Sequence, residues 1–263
     1  MLIAREETAG QLRASGLQIS SRALDASWQS QVEVVSVLEE PCDVLIVATK
    51  AVGLDAALGC IAVAPGLVLP LLNGLDHMAP LRERFGQAAV IAAAIRIASD
   101  RPRTGVIEQT SAGARIDIAD GPPAGAVAGE LSRAGLDVRV GGSEAQVLWS
   151  KLARLSALAA TTSAFDCDLG AIRADPARLA DLRACVAEAA AVAGAEGAPV
   201  DPAAAQAEVD GLRDDQGSSL WRDVRAGHEN ERDAILGAVL RAGARDGIDT
   251  PAFARLNDAI ARR

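Results

Sequence analysis

The sequence predicts an α/β domain built on a parallel, doubly wound sheet over residues 1–141, followed by an all-helical domain over residues 142–263. Three observations carry this. Short apolar runs alternate with amphipathic stretches through the first part, the pattern of strands alternating with covering helices. After Gly141-Gly142-Ser143 no segment reads as a strand. The second part also holds Asp175-Pro176, Asp201-Pro202 and Thr250-Pro251, each an N-cap residue followed by proline at the first helical position.

Taken in order, residues 2–4, 32–35, 44–48 and 67–72 are apolar runs that read as strands. Between them, residues 6–15, 52–62 and 76–85 read as helices, ended by Gly16, Pro65-Gly66 and Gly86. Residues 88–98, 105–109 and 115–118 read as further strands, and Gly121-Pro122-Pro123 opens a helix that ends near Gly135. Residues 136–140 close the α/β part as a last strand. Residues 144–160, 176–196, 202–213, 219–245 and 251–262 then have helical composition, with breaks at Gly170, Gly197-Ala198-Pro199, Gly217 and Gly247. The first strand begins two residues in, whereas a doubly wound domain normally supplies a strand, a Gly-rich turn and a helix before it. The expectation is a domain without its first strand–helix unit, or a reading frame that starts late.

Composition narrows the function. Half of the 263 residues are hydrophobic, enough for a substantial core, and 26 basic residues against 35 acidic ones give a net charge of −9. That acidity argues against nucleic acid or an anionic membrane as the main partner. The longest apolar stretch, residues 56–78, is broken by Pro65-Gly66, Pro70, Asn73-Gly74 and Asp76, so it falls short of a membrane span. Arg5, Glu6, Glu7 and Arg13 are incompatible with a signal peptide, and Cys42, Cys60, Cys167 and Cys185 show no paired spacing. The reading is a soluble, cytoplasmic protein with reduced thiols and no metal site. Of the 26 basic residues only Lys50 and Lys151 are lysines. Solvated positions accept arginine, so these two are candidates for sites that need a compact ammonium donor.

No two glycines are separated by a single residue, so G-x-G-x-x-G is absent from these residues, as are the P-loop, H-E-x-x-H and G-x-S-x-G. His77 and His228 are too few for a histidine metal site, and His77 reads as a helix-surface or capping residue.

Two predicted strands end in polar residues, at Thr49-Lys50-Ala51 and Leu72-Asn73-Gly74, at the carboxyl ends where parallel sheets bind ligands. Leu148-Trp149-Ser150-Lys151-Leu152 follows at the start of the helical part. Last comes Ser218-Ser219-Leu220-Trp221-Arg222-Asp223, leading to Glu231-Arg232-Asp233. This ordered set resembles the ketopantoate reductase (2-dehydropantoate 2-reductase) family over essentially the whole chain. The resemblance implies a Rossmann-like nucleotide-binding domain and NADPH-dependent reduction of a 2-oxo acid, ketopantoate to pantoate in pantothenate biosynthesis. It assigns Lys151 as the general acid that delivers a proton as hydride arrives. It assigns Glu231 to catalysis and substrate contact, and Asn73 and Ser219 to substrate binding. Arg5, Lys50 and Asn73 become cofactor contacts, with Arg5 facing the 2′-phosphate. Each assignment has a plainer alternative. Arg5 could pair with Glu6 or Glu7, Asn73-Gly74 could be only a turn, Ser219 could be a helix N-cap, and Glu231 could belong to a solvated run. Trp149 and Trp221 read as packing anchors.

Leu155, Ala159 and Leu169 stand where the family places asparagines toward substrate, and Gln216 replaces another. The resemblance then implies a more apolar pocket, with Thr161, Thr162 and Ser163 as replacement polar groups, and a divergent substrate. A small-molecule 2-oxo acid is the expected partner, with a homodimer among the expectations. The other class left open is a truncated, non-catalytic relative that binds or dimerises.

Overall fold

In the computed structural model, which describes residues 1–21, 24–111 and 113–263, the chain divides into two compact units. The first takes Met1–Thr49, Gly53–Leu71 and Leu81–Val140. The second takes Gly141–Arg263 together with two short segments, Lys50–Val52 and Leu72–Pro80.

The first unit alternates strands and helices in the order β1 (Leu2–Ile3), α1 (Glu6–Ser15), β2 (Leu17–Ser21), β3 (Ala26–Ser30), β4 (Val34–Val35), β5 (Val44–Val47), α2 (Leu54–Leu58) and β6 (Leu67–Pro70). It continues with α3 (Met78–Phe85), β7 (Ala93–Arg96), β8 (Ser99–Arg103), β9 (Val106–Gln109), β10 (Arg115–Ile118), α4 (Ala124–Arg133) and β11 (Asp137–Val140). Parallel ladders join β1 to β4, β5 to β6 and β10 to β11, as strand–helix–strand connections require. These pairs lie in separate sheets rather than one parallel sheet, and the three-stranded sheet β11-β10-β7 is mixed, because β7 runs antiparallel to β10. A separate ladder in the order β3-β2-β9-β8 pairs the expected strand β9 with β2, β3 and β8, which no apolar run announces. Buried Leu69, Ile91, Ala93, Ile116, Ile118, Ala124 and Val127 form the core between β6, β7, β10 and α4. Ala9 and Leu12 of α1 close on Val34 of β4 in a smaller cluster.

The second unit is helical: α5 (Glu144–Phe165), α6 (Leu169–Ala174), α7 (Pro176–Ala195), α8 (Pro202–Asp210), α9 (Ser219–Arg225), a π-helical turn (Asp233–Gly237), α10 (Ala238–Asp246) and α11 (Pro251–Ala261). Helix α5 opens with a capping box between Ser143 and Gln146, and its 22 residues form the axis of the unit. Trp149, Leu152, Leu182, Val186, Ile235, Phe253 and Leu256 belong to one buried cluster around it. Asp175 and Asp201 cap α7 and α8 as their Asp-Pro pairs predict. Thr250 does not cap α11. The Ala252 and Phe253 N–H groups instead donate to the Glu188 carboxylate from α7, at 2.8 and 3.1 Å. The single helix expected over residues 219–245 is broken. Gly227 takes φ +66° after α9, and the chain re-enters helix only at the π turn. No helix among the described residues is long and apolar enough to cross a membrane.

Candidate active site

Lys50 and Ala51 follow β5, and Asn73 and Gly74 follow β6, yet both segments group with the second unit. The reason is Glu231. It lies in the break between α9 and the π turn and is only 6% exposed, which excludes the solvated-run reading. Its Oε1 accepts the Ala51 N–H at 3.0 Å and its Oε2 accepts Asn73 Nδ2 at 2.9 Å. A buried carboxylate is tolerable only when so bonded. Asn73-Gly74 is more than a turn. Gly74 has φ +85°, and a Cβ there would lie 2.2 Å from the Ala234 carbonyl oxygen, so only glycine lets this segment approach the π turn. π-Helical turns are uncommon and recur at functional sites.

Lys151 lies half-buried on the second turn of α5, with Nζ 3.5 Å from the carbonyl oxygen of Leu72, the residue before Asn73. Lys50 Nζ donates to Asp223 Oδ2 at 2.8 Å and to the Glu229 carbonyl at 3.5 Å. Asp223 stands one turn beyond Ser219 on α9, so the two share a helix face. Lys50, Asn73, Lys151 and Glu231 are thus gathered in one unit, with Ser219 on the helix that holds Lys50. Ser219 is half-buried and is not the cap: Ser218 takes that role, accepting the Trp221 N–H at 3.0 Å.

Arg5 belongs to the first unit, is exposed, and occupies the N-cap position of α1 without a side-chain cap bond. Its expected competitor is engaged elsewhere. Arg13 binds Glu6 at 3.1 Å, and bonds from Ser36 and Arg13 hold the Glu6 carboxyl below its usual range.

His77 corrects the sequence reading. It is 4% exposed, and neither ring nitrogen has a hydrogen-bond partner among the described residues. Burial, reinforced by the Lys151 charge, pushes its pKa down from 6.5 to about 4, although the Asp76 and Glu144 carboxylates pull the other way. The replacement polar groups are corrected too. Thr161 Oγ1 donates to the Ala157 carbonyl at 2.9 Å and Thr162 Oγ1 to that of Leu158 at 2.7 Å, and both residues, like Ser163, are fully buried. Ala159 and Leu169 lie inside the helical core, Leu155 packs against it, and Gln216 Nε2 donates to the Gly217 carbonyl. Sequence reasoning misses that Asp223 holds Lys50 and that His77 is buried beside this cluster. Their signals were the i, i+4 spacing from Ser219 and the proximity in sequence to Asn73.

An α/β unit is thus joined to a helical unit whose lysine, asparagine and glutamate bring together a proton donor and groups that can orient a polar substrate. Comparison with known proteins narrows this. Residues 1–123 match the family model described as ketopantoate reductase PanE/ApbA, and residues 145–263 match its C-terminal counterpart. The chain belongs to this family, whose members are NAD(P)-dependent reductases of 2-oxo acids. It is 30% identical to a 2-dehydropantoate 2-reductase of Caulobacter vibrioides over 225 residues, 81% of this chain and 75% of that one. A solved PanE/ApbA family ketopantoate reductase from Ralstonia eutropha superposes with a TM-score of 0.86 at 25% identity, covering 99% of this chain and 89% of that one. A D-mandelate dehydrogenase solved with NADH and anilino(oxo)acetate has a TM-score of 0.88 at 20% identity, with 99% and 88% covered.

Proposed function

We propose that this protein reduces a 2-oxo acid at the expense of NADPH, with 2-dehydropantoate, the precursor on the route to pantothenate, as the reference substrate. One observation carries the reading. Lys151 Nζ meets the backbone of Leu72 while the next residue, Asn73, is fixed on Glu231, so a proton donor and an amide stand side by side.

The chain offers sites for the dinucleotide. Arg5 is exposed and makes no side-chain cap bond to α1, a cation that can meet an anion such as a 2′-phosphate. Lys50 supplies a second cation, restrained by Asp223. The dinucleotide, when bound, supplies the hydride. The Ser219 hydroxyl, released from capping, hydrogen-bonds the substrate carboxylate. Lys151 Nζ donates its proton to the oxygen that becomes the alcohol. Glu231 uses two of its roughly four acceptor positions on Ala51 and Asn73, leaving capacity for a substrate hydroxyl. A homodimer is part of the proposal, and sedimentation velocity checks it.

The test is consumption of NADPH and NADH with 2-dehydropantoate and with a 2-oxo acid of the same shape lacking the hydroxyl. Oxidation of NADPH by either acid is expected. Cofactor binding without consumption across such a panel contradicts the reading and leaves a non-catalytic binding protein.

A further inference from the structure

The two adjacent serines that open α9 have different tasks, and the difference rests on a buried threonine. Thr162 is fully buried on α5 and Ser218 is 4% exposed. Their hydroxyl oxygens are 2.8 Å apart. The direction of this bond follows from its neighbours. Thr162 Oγ1 donates its one proton to the Leu158 carbonyl at 2.7 Å, so it must accept from Ser218. Ser218 Oγ in turn accepts the Trp221 N–H at 3.0 Å, which starts the helix. Both hydroxyl protons are thereby assigned, that of Ser218 to Thr162 and that of Thr162 to the Leu158 carbonyl.

A second tie lies one turn further along both helices. Trp221 Nε1 donates to Asp166 Oδ1 at 2.7 Å, and Asp166 is the left-handed residue that terminates α5. Residues 162 and 166 therefore hold residues 218 and 221. The first turn of α9 is fixed at both ends, with Ser219 between the ties, half-buried and with its hydroxyl in no hydrogen bond among the described residues.

We propose that Thr162 is a positioning residue for substrate binding, acting through Ser218 to hold the Ser219 hydroxyl in place. The proposal rests on Ser219 contacting the substrate carboxylate, as argued above. Because the Asp166–Trp221 tie persists, loss of the Thr162 hydroxyl loosens the first turn of α9 without releasing the helix.

The test is a double-mutant cycle on the full chain, comparing Thr162→Val, Ser219→Ala and the pair for KM toward 2-dehydropantoate, kcat and the NADPH Kd. Thr162→Val removes the hydroxyl and keeps the branch. It should raise KM about three- to tenfold, the equivalent of one neutral hydrogen bond, and leave the cofactor Kd unchanged. Thr162→Ser should restore the wild-type KM. In the Ser219→Ala background, Thr162→Val should have no further effect. Hydrogen exchange should also quicken at the Leu220 and Trp221 amides in Thr162→Val. A Thr162→Val effect of equal size in both backgrounds overturns the proposal while leaving the role of Ser219 intact. An unchanged KM in Ser219→Ala overturns the assignment of Ser219, and the proposal with it. Should Thr162→Val fail to fold, Thr162→Ala is put through the same cycle with the same criteria.

Discussion

His77 makes the stability of this protein depend on pH in a way that can be calculated. Its imidazole is buried with neither nitrogen bonded, and its pKa falls from 6.5 to about 4. The unfolded chain therefore binds a proton below about pH 6.5 that the folded chain refuses until about pH 4. Where the unfolded state binds more protons, stability falls as pH falls. The contribution is whole above pH 6.5, is about 2 kcal/mol smaller at pH 5, and is lost to the extent of ~3 kcal/mol below pH 4. Carboxylates also titrate at the acid end, so the comparison is with His77→Leu, which keeps them and removes the imidazole. Urea unfolding of both proteins at pH 7.5, 6, 5 and 4.5 should give free-energy curves that diverge as pH falls, the wild type losing about 2 kcal/mol more by pH 5. At pH 7.5 the leucine variant should be at least as stable, since no hydrogen bond is removed. Parallel curves across the whole range would refute the burial of a neutral His77.

Gly74→Ala places a Cβ 2.2 Å from the Ala234 carbonyl oxygen at φ +85°, and should cost at least about 2 kcal/mol in thermal or urea unfolding. Ala159→Asn puts an amide into a position with no exposure, and a lowered Tm, equivalent to about 1–3 kcal/mol, is expected rather than improved selection of a hydroxylated substrate. Arg5→Ala should weaken NADPH in fluorescence titration and leave NADH nearly unchanged; equal losses for both would remove Arg5 from the 2′-phosphate.

Much of this architecture is legible in the sequence where apolar runs mark buried strands, as in β5 and β6, and where Asp-Pro pairs start helices, as at α7 and α8. It fails where strands are polar. β3 reads ASWQS and β8 reads SDRPR, and both lie at the edges of their ladder, where side chains face solvent and Pro102 costs no ladder bond. Helix α6 runs through Gly170 because Asp168 caps it. At the site, the resemblance names Lys50, Asn73, Lys151, Ser219 and Glu231, which the fold places in the second unit. It could not show that Glu231 turns inward, because that depends on the break at Gly227, nor that Ser218 rather than Ser219 caps α9, because that depends on Thr162 across the core.

If Lys151 supplies the proton in an NAD(P)H-dependent reduction of a 2-oxo acid, its removal slows the chemistry and not cofactor binding. Lys151→Ala, assayed for steady-state turnover alongside the cofactor Kd, tests it most directly. A fall in kcat of roughly 10²–10⁴-fold with cofactor affinity unchanged is expected. Undiminished turnover in the variant would contradict it.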